Sequence, residues 1–84
     1  MADKNIFQIV CRILVTQLSV DPAKISERST LGSDLGADSL DLAEISLMIK
    51  DEFQYDLSEA EMTKIRTVGD ICEILGNAVL KERS

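Results

Sequence analysis

Ser39 lies between two aspartates in the stretch "GADSLD", residues 36–41, and its hydroxyl is a candidate for chemistry. A serine nucleophile needs a neighbouring base to take its proton, and this sequence contains no histidine. The carboxylates of Asp38 and Asp41 would oppose the charge of a serine alkoxide, and the surrounding residues do not form a G-x-S-x-G motif. We therefore expect no catalytic residue here and a protein that is not an enzyme.

The aspartates near Ser39 also raise the question of a cation site. An EF-hand loop that began at Asp34 would need Gly at its sixth position and Glu at its twelfth. Ser39 and Ile45 occupy those positions. We expect no dedicated metal site, although the acidic residues are compatible with weak binding of divalent cations.

Helix capping is a simpler role for these polar residues. The second helix is predicted to begin at Asp38 or Ser39 and to end near Phe53. With Asp38 as N-cap, Asp41 takes the third helical position, near the positive end of the helix dipole. Ser39 is then exposed at a helix N-terminus, which accommodates phosphate well. The residues alone predict an acceptor of a phosphate-linked group, and ordinary phosphorylation fits equally well.

This second helix carries two apolar faces when its residues are placed 100° apart. One face, directed at the core, consists of Leu42, Ile45, Ile49 and Phe53. The opposite face combines Leu40, Leu47 and Met48 with the acids Asp41, Glu44 and Asp51. Acids steer a basic partner and apolar side chains supply contact area, so we expect the second face to be a docking surface.

Apolar spacing along the rest of the chain predicts an all-α fold, a small four-helix bundle of three main helices plus one short helix with a long first loop. The first helix spans about Lys4 to Leu18. The short helix lies between Ser58 and Lys64, with a capping box of Ser58 and Glu61.

The last helix begins at the N-cap Thr67, with Asp70 in its first turn. Its buried stripe comprises Val68, Ile71, Cys72, Leu75 and Val79. Leu31 and Leu35 are the expected core anchors of the long loop.

Length and charge restrict the class of protein. The 84 residues with a net charge of −6 predict a single domain, 1–84, and an acidic monomer. Residues 33–61 hold nine acids and one base, Lys50. This balance disfavours nucleic-acid binding, which needs a basic surface. We also expect no membrane insertion and a cytoplasmic location, because no signal peptide or spanning apolar run is visible.

The segment "DLGADSLD", residues 34–41, resembles the modification motif of acyl carrier proteins. The stretches "AEI" (43–45), "DEF" (51–53) and "KIRTV" (64–68) fit the same pattern, so the resemblance covers nearly the whole chain. It implies the small helical bundle already predicted. The motif is more similar to free-standing carriers of type II fatty acid synthesis than to peptidyl or polyketide carriers, which more often show a "GG-S" type.

The resemblance implies that Ser39 carries 4′-phosphopantetheine, attached covalently from coenzyme A by a phosphopantetheinyl transferase. The thiol of that arm would hold growing acyl chains as thioesters. Asp38 matches the motif acid near the metal ion of the transferase. Leu40, Asp41 and Glu44 match positions that face fatty acid synthesis enzymes with basic docking patches.

The resemblance also implies that acyl chains enter the core between the helices. The residues expected to line that pocket are Leu42, Ile45, Ile49, Phe53, Leu57, Met62, Ile65, Val68 and Leu75.

Two alternatives stay open at this point. The chain fits a carrier of another pathway, polyketide, lipid or peptidyl. It also fits a small acidic helical protein-interaction module in which Ser39 is a cap or a phosphorylation site.

Overall fold

Four α-helices follow one another in the predicted order. The computed structural model describes the backbone of residues 2–83 and the side chains of residues 5–78. The helices are α1 (Ala2–Leu18), α2 (Ser39–Phe53), α3 (Glu59–Lys64) and α4 (Val68–Arg83). The predicted fold class is confirmed, and α1 begins two residues earlier than expected.

The chain leaves α1 through a short element that the sequence prediction did not include. Ser19 adopts a left-handed backbone with φ 56, and its N–H donates to the Val15 carbonyl at 2.9 Å. A 3₁₀-helix, Pro22–Lys24, follows, with the Asp21 carboxylate accepting the Ala23 N–H as its N-cap. Proline at the first helical position is favoured because its φ is fixed and its missing N–H has no partner to lose.

The core lies where the apolar stripes of the main helices meet. Helix α1 packs against both α2 and α4, and Leu14, Ile49 and Leu75 are completely buried at that junction. The other buried apolar residues are Ile6, Val10, Ile13, Ile25, Leu31, Leu35, Ile45, Leu57, Val68 and Ile71. The predicted loop anchors Leu31 and Leu35 are therefore confirmed. Cys72 is half-buried against this core, and Val79 lies outside the described side chains.

Backbone hydrogen bonds tie the long loop to the segment that precedes α4. The Leu31 N–H donates to the Arg66 carbonyl at 2.9 Å, and the Val68 N–H donates to the Ser29 carbonyl at 3.0 Å. These bonds provide partners for backbone N–H and C=O groups that would otherwise lie next to the core without a hydrogen bond. They fix the loop to the end of the molecule from which α2 begins.

The last turn of the loop delivers the chain to α2. Gly36 has φ 75, a conformation that residues with a Cβ rarely adopt. The next residue, Ala37, donates its N–H to the Leu31 carbonyl at 2.8 Å. Asp38 is thereby brought to the N-terminus of α2 in an extended conformation.

The predicted caps of α3 and α4 are both present. The Ser58 hydroxyl accepts the Glu61 N–H at 3.1 Å, and the Thr67 hydroxyl accepts the Asp70 N–H at 3.2 Å. In the described part of the chain, no helix is both long and apolar enough to cross a bilayer.

Candidate functional site

A reciprocal pair of hydrogen bonds starts α2. The Asp38 carboxylate accepts the Asp41 N–H at 2.8 Å, and the Asp41 carboxylate accepts the Asp38 N–H at 3.1 Å. This capping box satisfies two of the N–H groups that a helix start leaves without partners. The prediction that Asp38, and not Ser39, is the N-cap is confirmed.

Ser39 occupies the first helical position of α2, and its side chain is exposed. Asp38 and Asp41 satisfy each other, and no described residue makes a hydrogen bond to the Ser39 hydroxyl. The hydroxyl is therefore available at the positive end of a 15-residue helix. This position suits a covalent bond to a phosphate group better than it suits catalysis, because no base contacts the oxygen.

Asp41 has a second contact that the sequence did not indicate. The Gln17 side chain of α1 donates to the Asp41 carboxylate at 3.3 Å. The hydrogen bond from the Asp38 backbone, together with this amide, lowers the pKa of Asp41 from its usual value. Asp41 is therefore half-buried at the edge between α1 and α2 and not at the centre of the exposed face.

A crevice of about 360 Å³ opens beside the start of α2. Its lining includes the apolar Ala37, Leu42 and Ile65 and the cationic Arg66. The rest of the lining comes from the loop residues Thr30, Leu31, Gly32 and Ser33. This crevice could not be predicted from the residues, because it exists only when the loop is tied to the α3–α4 connection.

Asp34, the first aspartate of the motif, stabilises the loop. Its carboxylate accepts the Thr30 N–H at 2.8 Å, and its own N–H donates to the Thr30 hydroxyl at 3.0 Å. Within the part of the chain that the structure describes, no group of three or more acids or cysteines is arranged to hold a metal ion.

The outer face of α2 exposes apolar side chains between acids. Leu40 is 70% exposed and Leu47 is 63% exposed, and Glu44 and Asp51 are exposed on the same helix. Large apolar side chains at this exposure, close to carboxylates, form a surface suited to a basic protein partner.

Met48 is an exception to the predicted outer face. It is half-buried and packs against the core, so the expectation that it faces water is wrong. Met48 lies about 60° around the helix from the buried Ile45, on the side that α1 covers. With Arg12 and Ile13 of α1, it lines a small crevice between the two helices.

The nine residues predicted to line an acyl pocket come together in one apolar cluster. Five of them are buried: Ile45, Ile49, Leu57, Val68 and Leu75. The other four are half-buried and pack against that core: Leu42, Phe53, Met62 and Ile65. Their convergence agrees with the helical spacing from which the core face was predicted.

Helix α3 is attached by a contact that sequence reasoning missed. The Tyr55 hydroxyl donates to the Glu61 carboxylate at 2.6 Å, and this bond raises the pKa of Tyr55 above its usual value. Glu61 also completes the capping box by accepting the Ser58 N–H at 3.0 Å. The Glu61 carboxylate therefore stabilises both the start of α3 and the turn before it.

Comparison with known proteins gives one family for most of the chain. Residues 8–75 match the family described as "Phosphopantetheine attachment site". The chain is 44% identical over 59 residues to the acyl carrier protein of Chlamydia felis, a match that covers 70% of this chain and 76% of that protein. It is 42% identical over 59 residues to the acyl carrier protein of Chlamydia caviae, covering 70% and 77% respectively.

Proposed function

This chain belongs to the acyl carrier protein family, and we propose that it carries growing acyl chains for fatty acid synthesis on an arm attached to Ser39. The arm of this family is 4′-phosphopantetheine, whose terminal thiol holds acyl groups as thioesters. The assignment to fatty acid synthesis is supported by the similarity of the chain to two acyl carrier proteins and by the similarity of "GADSLD" to carriers of that pathway.

The observation that carries the proposal is the exposed Ser39 hydroxyl without a hydrogen-bond partner among the described residues. The residues present fit the arm, because a helix N-terminus favours the phosphate and the crevice beside it is lined by apolar side chains, two hydroxyl residues and one cation. Asp38 would lie next to the metal ion of the modifying transferase.

In this proposal the chain is a carrier, and its partners do the chemistry. The Ser39 hydroxyl would give its proton to a base of the phosphopantetheinyl transferase and form a phosphodiester with the pantetheine phosphate of coenzyme A. The adenosine bisphosphate part of coenzyme A would leave. The chain's own residues orient the hydroxyl and present α2 to the enzyme.

The remaining residues have roles that follow from their positions. Leu40, Leu47, Glu44 and Asp51 would contact basic docking patches of the transferase and of fatty acid synthesis enzymes, with Asp41 and Met48 at the edge of that surface. The apolar cluster described above would accept the acyl chain. We propose a single domain that works as a monomer in the cytoplasm.

Modification of Ser39 is tested by intact-mass measurement after incubation with coenzyme A and a broad-specificity phosphopantetheinyl transferase. We expect the wild type and Ser33→Ala to gain the mass of one arm and Ser39→Ala to gain none. Ser33 is a suitable control because it is an exposed serine in the adjacent loop. No mass gain on the wild type, or a gain on Ser39→Ala, would contradict the proposal.

The pathway is tested separately with the modified chain. Added to purified fatty acid synthesis enzymes, it should support elongation of a thioester-bound acyl chain. Full modification without elongation would point to a carrier of another pathway.

A further inference from the structure

The crevice between α1 and α2 shares Met48 and Asp51 with the proposed docking surface, and its other lining residues lie outside that surface. Its walls are Arg12, Ile13 and Thr16 from α1 and Met48, Asp51 and Glu52 from α2. Its volume is about 180 Å³, below the roughly 300 Å³ at which small-molecule pockets begin. A space of this size suits one side chain of another protein.

The chemistry of the lining identifies that side chain. Ile13 and Met48 provide an apolar floor, and the carboxylates of Asp51 and Glu52 lie at the rim. A long aliphatic stem that ends in a cation matches both features, because lysine and arginine cover apolar surface with the stem while the head stays polar.

Arg12 shows that a guanidinium can bind at this rim. Its Nη2 lies 3.5 Å from Glu52 Oε1, and the two side chains are 65% and 45% exposed. An exposed ion pair of this length contributes little to stability. The Asp51 carboxylate makes no ion pair or hydrogen bond with any described side chain. The rim therefore holds one weakly paired acid and one acid that a second cation can reach.

We propose that this crevice receives an arginine or lysine side chain of a basic partner enzyme and that Arg12 competes with it for Glu52. The crevice continues the acidic face of α2, since Asp51 belongs to both. Arg12 then acts as an internal substitute for the partner's cation, and docking displaces it. The inference rests on the proposed carrier function because the partner is an enzyme that docks on α2.

The test measures the dissociation constant of the apo chain for the phosphopantetheinyl transferase, without coenzyme A and at low ionic strength. Arg12→Ala should tighten binding by about 2- to 5-fold, since it frees Glu52. Arg28→Ala is the matched control: it removes the same charge from an exposed loop position and should change binding by less than about 1.5-fold. Equal tightening by both variants would mean that the change in net charge alone explains the higher affinity, and it would overturn the proposal.

Two further variants examine the acids directly. Asp51→Asn should weaken binding more than Glu73→Gln, which removes an exposed acid from α4. In a Glu52→Gln background, Arg12→Ala should no longer tighten binding, because the carboxylate for which the cations compete is gone. Tightening that persists in that background would also overturn the proposal. Thermal unfolding checks that each variant is folded.

Mass gain on Ser39 is scored in parallel, which separates this inference from the proposed function. If Ser39 is modified normally and Arg12→Ala and Arg28→Ala change binding equally, the proposal about the crevice is overturned and the carrier function is not. Tightening specific to Arg12→Ala without modification of Ser39 overturns the carrier function and leaves the crevice supported. A wild-type chain that is neither bound nor modified overturns both.

Discussion

Asp38, Ser39 and Asp41 have different roles at the start of α2. Asp38 and Asp41 exchange hydrogen bonds with each other's backbone, so Ser39 is left with an exposed hydroxyl. The capping role was predictable because it depends on residue types three positions apart. The contact between Gln17 and Asp41 was not, since those residues are 24 positions apart and meet only after α1 and α2 pack.

The capping carboxylates of Asp41 and Asp70 predict how the stability of the fold changes at low pH. Hydrogen bonds from the backbones of Arg66 and Thr67 lower the pKa of Asp70 from its usual value of 3.8, and Asp41 is lowered in the same direction. A carboxyl group whose pKa is depressed by folding stabilises the native state above the pKa of the unfolded chain and loses that effect as pH falls through the folded pKa. The free energy of unfolding should therefore fall as the pH drops below about 4.

Urea unfolding at a series of pH values checks this expectation. Asp41→Asn and Asp70→Asn should each be less stable than the wild type at neutral pH and should lose less stability on acidification. Asp51→Asn is the control, because its carboxylate accepts no hydrogen bond from a described side chain or backbone group. An identical pH dependence for the wild type and both cap variants would exclude the caps as the source of acid sensitivity.

At the scale of the element, α2 is a helix with three environments. The side that contains Ile45 and Ile49 is buried, the edge with Asp41 and Met48 meets α1, and Leu40 and Leu47 face water. Helical periodicity predicted the buried side and most of the exposed side. The same spacing places Met48 only about 60° from Ile45, so its assignment to the exposed side was wrong. How far such an intermediate position is covered depends on the angle at which α1 crosses α2.

The exposed side of α2 predicts where a basic enzyme binds. Glu44→Lys should weaken binding of the transferase by at least about tenfold at low ionic strength, since it places a positive charge against the partner's basic patch. Glu73→Lys makes the same charge change on the exposed side of α4 and should have a smaller effect. The difference should shrink at high salt because exposed charges are then screened.

Affinities from calorimetry at two salt concentrations give the comparison. Equal losses of affinity for the two lysine variants would show that α2 is not the docking helix. If the difference in affinity between the two variants stays constant with salt, a local packing effect and not electrostatic attraction would explain it.

At the scale of the whole molecule, the order of the helices and their core faces followed from the sequence, but the attachment of the long loop did not. Leu31 and Leu35 could be assigned to the core because they are isolated apolar residues in a polar segment. The bonds from Leu31 to Arg66 and from Val68 to Ser29 join distant backbone groups, and backbone groups carry no sequence signal. The crevice beside the start of α2 depends on those bonds, so it could not be predicted either.

The uneven charge of the molecule predicts a response to divalent cations. Residues 33–61 contain nine acids and one lysine, and like charges confined to α2, α3 and their connections repel one another in the compact state. Mg²⁺ that associates with the folded chain at about five times its dissociation constant would stabilise it by ~1 kcal/mol. For a domain of this size, that corresponds to a rise in the melting temperature of about 4–8 °C.

Thermal unfolding with and without about 5 mM Mg²⁺ measures this response, with KCl at equal ionic strength as the control for simple screening. A variant that replaces Glu44 and Asp51 with Gln and Asn should need less Mg²⁺ for the same melting temperature, since part of the repulsion is already removed. An equal rise in KCl would assign the effect to screening alone. No rise in either salt would mean that the acids are too widely separated to destabilise the fold.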